Sequence, residues 1–410
     1  MDLCLVKLNG WPDSFDERIF TLAENLHSLT IIRPKPSNYD SSLDDIDSIS
    51  VYELRPSRPE SIDAIWIHPL LFLLYVIQAV TVVSYLIINP RTNIDIIHSV
   101  DYVVNGLAAA ILSIIWDVPT VISVRGLTEF RYKNHVDNNP SKLGRFNLRI
   151  VQVIPSIVFK QADHIITKSE YQVDFILENY ETLAEFSVIP TGVDFSTFDP
   201  NKYQIQDDDI AESLGFPSCA FCGPTILHLG KLTKNKGIHN LLSFIQESND
   251  YLDPEIRFIC VGRTRNEDFK EEILRVEDQI ERILVHPNQI PFQLVPQLLK
   301  KVDGLILLSE AGHEGTPRVL QESYTMGTPI IASDVTGIKG AFSDLEGAIL
   351  IDRNDVQEFR DAVRSIAEKD IEVKRTDARE NFDIETNYAK YADIYQSAIL
   401  KRSDRTKSVN

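Results

Sequence analysis

The stretch that decides the fold is IDIIHSVDYVVNGLAAAILSIIWDVPTVISV, residues 94–124. It opens on a short apolar run at 94–97, continues through a longer helical stretch at 102–116, and closes on a second short apolar run at 119–124. Short apolar runs bounded by turns suit strands buried on both faces, and a helix between two such strands makes them parallel. The same rhythm restarts after residue 222, with strand candidates at 225–229, 256–261, 304–308 and 330–333. Between the two series, residues 205–222 begin with the acidic Asp207, Asp208 and Asp209 and are then broken by Gly215 and Pro217, with Gly223 just beyond, which marks a domain boundary. A single core stops growing near roughly 250–300 residues, so 410 residues imply two α/β domains with parallel sheets.

Composition narrows the function classes. Hydrophobic residues make up 43% and charged residues 25% of the chain, the mix of a folded protein without a large disordered part. With 60 acidic against 41 basic residues the formal charge is −19, which repels polyanions, excludes bulk nucleic-acid binding and suits a salt-rich cytoplasm. Four cysteines are too few for a secreted disulfide framework, and Cys219 and Cys222 lack the second pair a zinc site needs, so they read as ordinary thiols. Residues 1–9 have neither a basic leader nor a long apolar run and read as a first strand, so a cytoplasmic location is expected.

Residues 65–88 are apolar and long enough to span a bilayer. Yet they lie between strands of one sheet, and His68, Tyr75, Gln78, Thr81 and Tyr85 fall roughly along one face. A helix partly buried and partly docked on a membrane is the expectation, and a fully buried core helix is the alternative. Arg131, Lys133, Lys142, Arg145, Arg149 and Lys160 cluster against only Glu129 and Asp137, which is either an attraction to anionic lipid or a phosphate-bearing acceptor, or an ordinary solvated face.

The chemistry concentrates in SEAGHEGTPRVLQESYTMGTPIIASDVTGIKG, residues 309–340. A strand, a loop with Gly312, Glu314 and Gly315, and a helix start with Thr316 as its capping hydroxyl and Pro317 in the first turn would aim a helix N-terminus at the loop. Glu314 and Glu322 can then line one site as acceptors for sugar and ribose hydroxyls; an i,i+4 ion pair from Glu322 to Arg318 is the alternative. After the first strand of the second domain, Lys231, Lys234 and Lys236 gather as a phosphate-sized charge cluster, although the spacing is not that of a P-loop. Asp45 with Asp47, and Asp207 to Asp209, sit in polar connectors rather than in a metal-binding pair, and no metal site is assigned.

As an ordered set these motifs resemble the retaining GT-B glycosyltransferases with an E-x7-E pattern, the family 4-like "group 1" enzymes. The resemblance rests on Gly230-Lys231, Lys236-Gly237, Glu314-Gly315-Thr316-Pro317 and Glu322 to Ile330, and upstream on Ala162 to Ile166, Ser169 and Val188 to Asp194. It implies two Rossmann-like domains with parallel sheets facing a central cleft, and hexosyl transfer from a UDP- or GDP-linked sugar to a glycan or lipid-linked acceptor, without a cofactor. By the same resemblance Lys231 and Lys236 neutralise the diphosphate, Glu314 meets the transferred sugar, Glu322 holds the ribose, and Gly315 and Thr316 offer backbone N–H groups. The implied catalytic set is Glu314, Lys236, Lys231 and Arg125.

Three departures stand out. The family carries arginine where Lys231 stands, so the charge is kept but the bidentate fork is lost. Its glycine-rich loop is reduced here to Gly10, and its histidine near the reaction centre is replaced by Arg125, which is suited to clamping a phosphate. His98 matches a commoner family histidine, or is a structural residue at a strand end; with Gly10 and Arg125 it completes the acceptor-side candidates. The expected organisation is an acceptor domain at 1–198, a linker at 199–222, a donor domain at 223–383, a returning helix at 384–402 and a tail at 403–410. A nucleotide-sugar epimerase, a glycan phosphorylase and a non-catalytic partner subunit of the same fold are the alternatives.

Overall fold

The computed structural model describes residues 1–8, 22–23, 26–35, 46–56, 69–128, 142–203, 207–264, 266–310 and 315–409. They form two compact units, Met1–Ile189 with Glu385–Asn410, and Pro190–Ile384.

The first unit carries seven parallel strands: β1 (Asp2–Val6), β2 (Ser28–Pro34), β3 (Ile49–Leu54), β4 (Ile96–Ser99), β5 (Thr120–Ser123), β6 (His164–Thr167) and β7 (Glu185–Val188). Their order is β3-β2-β1-β4-β5-β6-β7, so the chain starts in mid-sheet and reverses direction between β1 and β4. Helices α1 (Pro69–Ile88), α2 (Val104–Trp116) and α3 (Lys142–Gln161) cover one face, packing on Cys4, Val6, Ile97, Ile122 and Ile165. A shorter α4 (Glu170–Asn179) joins β6 to β7. The alternate residues Leu3, Leu5, Ile96, Val121 and Ile166 point to the opposite face, the period-2 consequence of the pleat.

The second unit repeats the plan. In chain order it holds α5 (Asp207–Leu214), β8 (Thr225–Leu229), α6 (Ile238–Glu247), β9 (Arg257–Val261), α7 (Glu267–Gln279), β10 (Ile283–His286) and α8 (Leu294–Lys301). Then come β11 (Gly304–Leu307), α9 (Arg318–Thr325), β12 (Ile330–Ser333), α10 (Thr336–Phe342), β13 (Ala348–Ile351), α11 (Val356–Ala367) and α12 (Arg375–Phe382). All strands are parallel in the order β10-β9-β8-β11-β12-β13, the doubly wound Rossmann arrangement with its switch between β8 and β11.

The division falls at Ile189 and Pro190, not across the expected 199–222 linker. The physical reason is burial: Phe198, Ile210, Ala211, Leu214, Ala220 and Phe221 all enter the core of the second unit. The acidic run from Asp207 opens α5 and is not a loop. Cys219 and Cys222 are exposed, unbonded thiols flanking the buried pair Ala220 and Phe221 of a short 3₁₀ turn. Near the division Val193 N–H donates to the Phe382 carbonyl (2.7 Å) and Ile384 N–H to the Val193 carbonyl (3.1 Å).

The last helix, α13 (Ile384–Val409), runs on through residues 403–409 of the expected tail. It closes the second face of the first sheet with Tyr391, Ile394, Tyr395 and Ala398. Arg402 anchors its later turns: Nε lies 2.8 Å from Asp117, Nη1 lies 3.6 Å from the buried Asp163, and Nη2 donates to Ser113 Oγ at 3.0 Å. Deeper in, the Tyr395 hydroxyl meets His98 Nδ1 at 2.8 Å, while His98 Nε2 meets Ser123 Oγ at 2.8 Å.

Tyr395→Phe should remove one hydroxyl from a buried chain of hydrogen bonds and lower stability by about 1–3 kcal/mol, read from the urea midpoint. Burial, helped by the charges of Lys168 and Arg125, pushes His98 down to about 3. The unfolded imidazole protonates at its ordinary 6.5 and the folded one only near 3, so the unfolded chain binds more protons in between. His98 therefore contributes stability that is present above pH 6.5 and lost as pH falls toward 3, and a flat urea midpoint across that window would refute the assignment.

Candidate active site

In an open parallel sheet, ligands bind beyond the carboxyl ends of the strands where the strand order reverses. In the second unit that point lies between β8 and β11, which pair through Gly304 with Ile226 and Leu305 with Leu227. The segment after β8 carries Gly230 to Gly237, and the segment after β11 leads through Ser309 and Glu310 to Gly315, Thr316 and α9. Two contacts hold them together: Glu310 N–H donates to the Asn235 carbonyl (3.0 Å), and a Cβ on Gly237 would meet the Leu308 carbonyl oxygen at 1.8 Å. Gly237 has φ +74°, so both its backbone and its surroundings require glycine.

The three lysines separate here. Lys234 lies over the Phe269 ring, 5.8 Å from its centroid, whereas Lys231 is exposed and Lys236 half-buried. Burial pushes the His228 imidazole down to about 4, and the Lys236 charge acts in the same direction, so a neutral ring underlies this cationic loop.

Helix α9 delivers the acidic partner. Glu322 is its fifth residue and is only 6% exposed, with Arg318 Nε 2.8 Å from its carboxylate. The i,i+4 ion pair is thus present, but on a buried carboxylate and not on a solvated face. A buried charge needs partners, so a carboxylate kept here one turn inside a helix end is suited to binding polar groups. The helix starts one residue later than expected: Pro317 is the N-cap residue and Thr316, buried and just outside, is not the cap. Proline fits this place because its missing N–H falls among donors that have no partner within the helix. Glu314 and Gly10 lie outside the described residues.

Several residues carried no readable signal in the sequence. Gln321, fully buried, accepts from Gly192 N–H (3.2 Å) and donates to the Thr316 carbonyl (3.1 Å), which ties the 190–193 turn to the start of α9. Glu310 pairs with Arg353 at 3.5 Å, and Arg353 Nη2 donates to Asn240 at 2.8 Å. Gly262 stands so close that a Cβ would meet the Gly230 carbonyl oxygen at 1.5 Å, a constraint that a lone glycine in sequence does not disclose.

In the first unit, Arg125 follows β5 and is exposed, and Lys168 follows β6, buried, with its ammonium donating to the Ile189 carbonyl at 2.9 Å. His98 sits on β4 beside the β1/β4 switch with both ring nitrogens hydrogen-bonded and its charge suppressed. Lys231, Lys236, Gly315, Thr316 and Glu322 therefore belong to the second unit, and Arg125 and His98 to the first.

Two family models match the chain: "Glycosyl transferases group 1" over residues 223–383 and "Glycosyltransferase Family 4" over residues 21–197. Among curated proteins, it is 23% identical to the D-inositol 3-phosphate glycosyltransferase of Corynebacterium urealyticum, over 67% of this chain but only 64% of that protein's own length. It is 24% identical to the glycogen synthase of Mycobacterium tuberculosis H37Rv, over 76% of this chain and 70% of the relative. Among solved structures, Anabaena HepE in complex with UDP and glucose superposes with a TM-score of 0.66 at 16% identity, covering 96% of this chain and 99% of that one. A likeness at that identity speaks for the fold, and it is the GT-B fold. With a glycosyltransferase model matched on each of its two Rossmann-like units, the chain belongs to the group 1 and family 4 glycosyltransferases.

Proposed function

We infer that the protein moves a hexosyl group, with retention at the anomeric carbon, from a UDP- or GDP-linked sugar to a glycan or lipid-linked acceptor in the cytoplasm. One observation supports this: the lysine-bearing segment after β8 and the segment leading to α9 with its buried Glu322 follow the two adjacent strands at the switch point of a doubly wound sheet, and the bond from Glu310 N–H to the Asn235 carbonyl joins them. Breaking the bond from the sugar to the diphosphate leaves negative charge on the phosphate oxygens. Lys231, Lys236 and the helix dipole supply positive charge that stabilises those oxygens as their charge develops. HepE, of the same fold, was solved with UDP and glucose, which supports a nucleoside-diphosphate donor here.

In this reaction Glu322 accepts hydrogen bonds from the ribose diol and Glu314 from the sugar. The Gly315 and Thr316 amides face the diphosphate. The departing phosphate oxygen takes the acceptor's proton as the acceptor hydroxyl attacks the same face, so no covalent nucleophile and no divalent metal take part. His98, held neutral with both nitrogens engaged, orients the strand end and transfers no proton, while Arg125 binds a phosphate on the acceptor side.

Lys236→Ala should weaken UDP or GDP binding by about 1.5–3 kcal/mol, roughly ten- to hundredfold, as measured by calorimetry. The same substitution removes a positive charge beside His228 and should raise the pH at which that ring titrates, observable by NMR. An unchanged nucleotide affinity together with a shifted His228 would leave Lys236 near the strand but outside the ligand site. Lys231→Arg should keep or strengthen binding by restoring a bidentate fork.

Glu322→Gln should weaken free nucleoside diphosphate and intact sugar nucleotide alike, because both carry the ribose. Glu314→Gln should affect only the sugar nucleotide and turnover. Identical losses for the two ligands in both variants would overturn these roles, and thermal melting of each variant separates them from misfolding.

A further inference from the structure

Helix α1 is long and apolar enough to cross a membrane, yet one side of it belongs to the core. Tyr75, Val76, Ala79, Val83 and Leu86 are buried against the sheet and α2. Polar contacts pin it as well: the Tyr75 hydroxyl donates to the Pro56 carbonyl (2.8 Å), Gln78 Nε2 donates to the Arg55 carbonyl (2.6 Å), and Trp116 Nε1 donates to Ser84 Oγ (2.7 Å). A transmembrane α1 would have to leave this core and put β3 and β4 on opposite sides of a bilayer. Its outer side is different. Leu70, Leu73, Ile77, Tyr85 and Ile88 are exposed, Leu70 at 81% and Tyr85 at 66%, and α1 has no charged residue.

The neighbouring helices extend that surface. α1 packs on α2 and α2 on α3, all over one face of the sheet, so their outward residues belong to one layer. From α2 the layer exposes Ile114 and Ile115, and from α3 it exposes Val153 and Ile157, flanked by the exposed Arg149 and Lys160. Across all three helices the sequence contains no aspartate or glutamate, in a chain that has 60. An apolar stripe beside cations, on a molecule of charge −19, matches an anionic lipid surface in both hydrophobicity and sign. A second copy of the chain is a poorer occupant, because a two-fold contact would bring the basic residues of α3 toward their own copies without an acid on these helices to pair with.

We propose that the outer face of α1, α2 and α3 docks flat on an anionic bilayer, with α1 lying in the interface and not crossing it. The inference stands on the first unit alone and is independent of the donor site in the second. It places an acceptor carried on a lipid within reach of the first unit while the protein remains peripheral.

The test is flotation of the full chain with vesicles of phosphatidylglycerol mixed equally with phosphatidylcholine, and with vesicles of phosphatidylcholine alone. Binding should favour the anionic vesicles, fall as salt rises, and be released by alkaline carbonate. The double variant Arg149→Glu, Lys160→Glu should bind anionic vesicles at least about tenfold less, since each basic residue near the surface contributes to attraction. Leu73→Ser with Ile77→Ser should remove binding to both vesicle types while leaving the melting temperature intact, because both side chains are exposed. Resistance to carbonate would establish a span and overturn the proposal. So would the absence of vesicle binding, and so would a dimer in sedimentation that Leu73→Ser with Ile77→Ser converts to monomer. Nucleoside diphosphate binding, measured in the same variants, reports on the donor site separately.

Discussion

Two parallel strands cannot be joined by a tight turn; the chain must leave the sheet, cross one of its faces and return to the same edge. Each unit therefore covers its sheet with helices and buries β4, β5, β8 and β12 along their whole length. The same constraint starts the sheet in its middle and reverses its order between β1 and β4 and between β8 and β11. At such a reversal the segments following two adjacent strands turn to opposite faces and leave a gap at the strand ends. The position of the candidate site follows from this, and the glycines at 237 and 262 are the price of bringing three backbone segments together there.

Electrostatics at the strand ends runs against the character of the whole chain. The molecule carries a charge of −19, yet Lys231 and Lys236 in one unit, and Arg125 and Lys168 in the other, stand at the carboxyl ends of parallel strands. Beneath them lie two buried histidines, His98 and His228, held at about 3 and about 4, hence neutral in the working range of a cell. A neutral imidazole can fill a polar position in the core without adding to the cationic charge above it. Burial lowers both rings most, and the positive charges of Lys168 and Arg125 on His98, and of Lys236 on His228, act in the same direction.

Packing also divides the helices of the first unit into two kinds. α13 is fixed by specific polar contacts, with Arg402 reaching Asp117 and Asp163 and Lys401 reaching Glu185 at 3.2 Å. α1 carries no charge, is pinned by neutral hydrogen bonds at Tyr75, Gln78 and Ser84, and keeps a second apolar face outward.

Periodicity alone determined the parallel α/β class and the strands at 225–229 and 330–333, because strands buried on both faces write their own spacing, while the helix from residue 384 follows from the GT-B resemblance. The ordered motifs determined the family in the same way, since Lys236-Gly237 and the segment from Gly315 to Ile330 are local in sequence. Tertiary structure decided what depends on contacts between distant residues. It put residues 199–222 inside the second unit, because Ile210, Leu214 and Phe221 find their apolar neighbours there and not in a linker. It anchored α13 on the first unit through Arg402, whose acidic partners Asp117, just after α2, and Asp163, just before β6, lie far back in the chain, nearly three hundred residues earlier in one case. It also joined Gln321 to Gly192 and made His98 a hydrogen-bonded core residue, since neither a side chain's partner nor its burial is encoded in the spacing of its own segment.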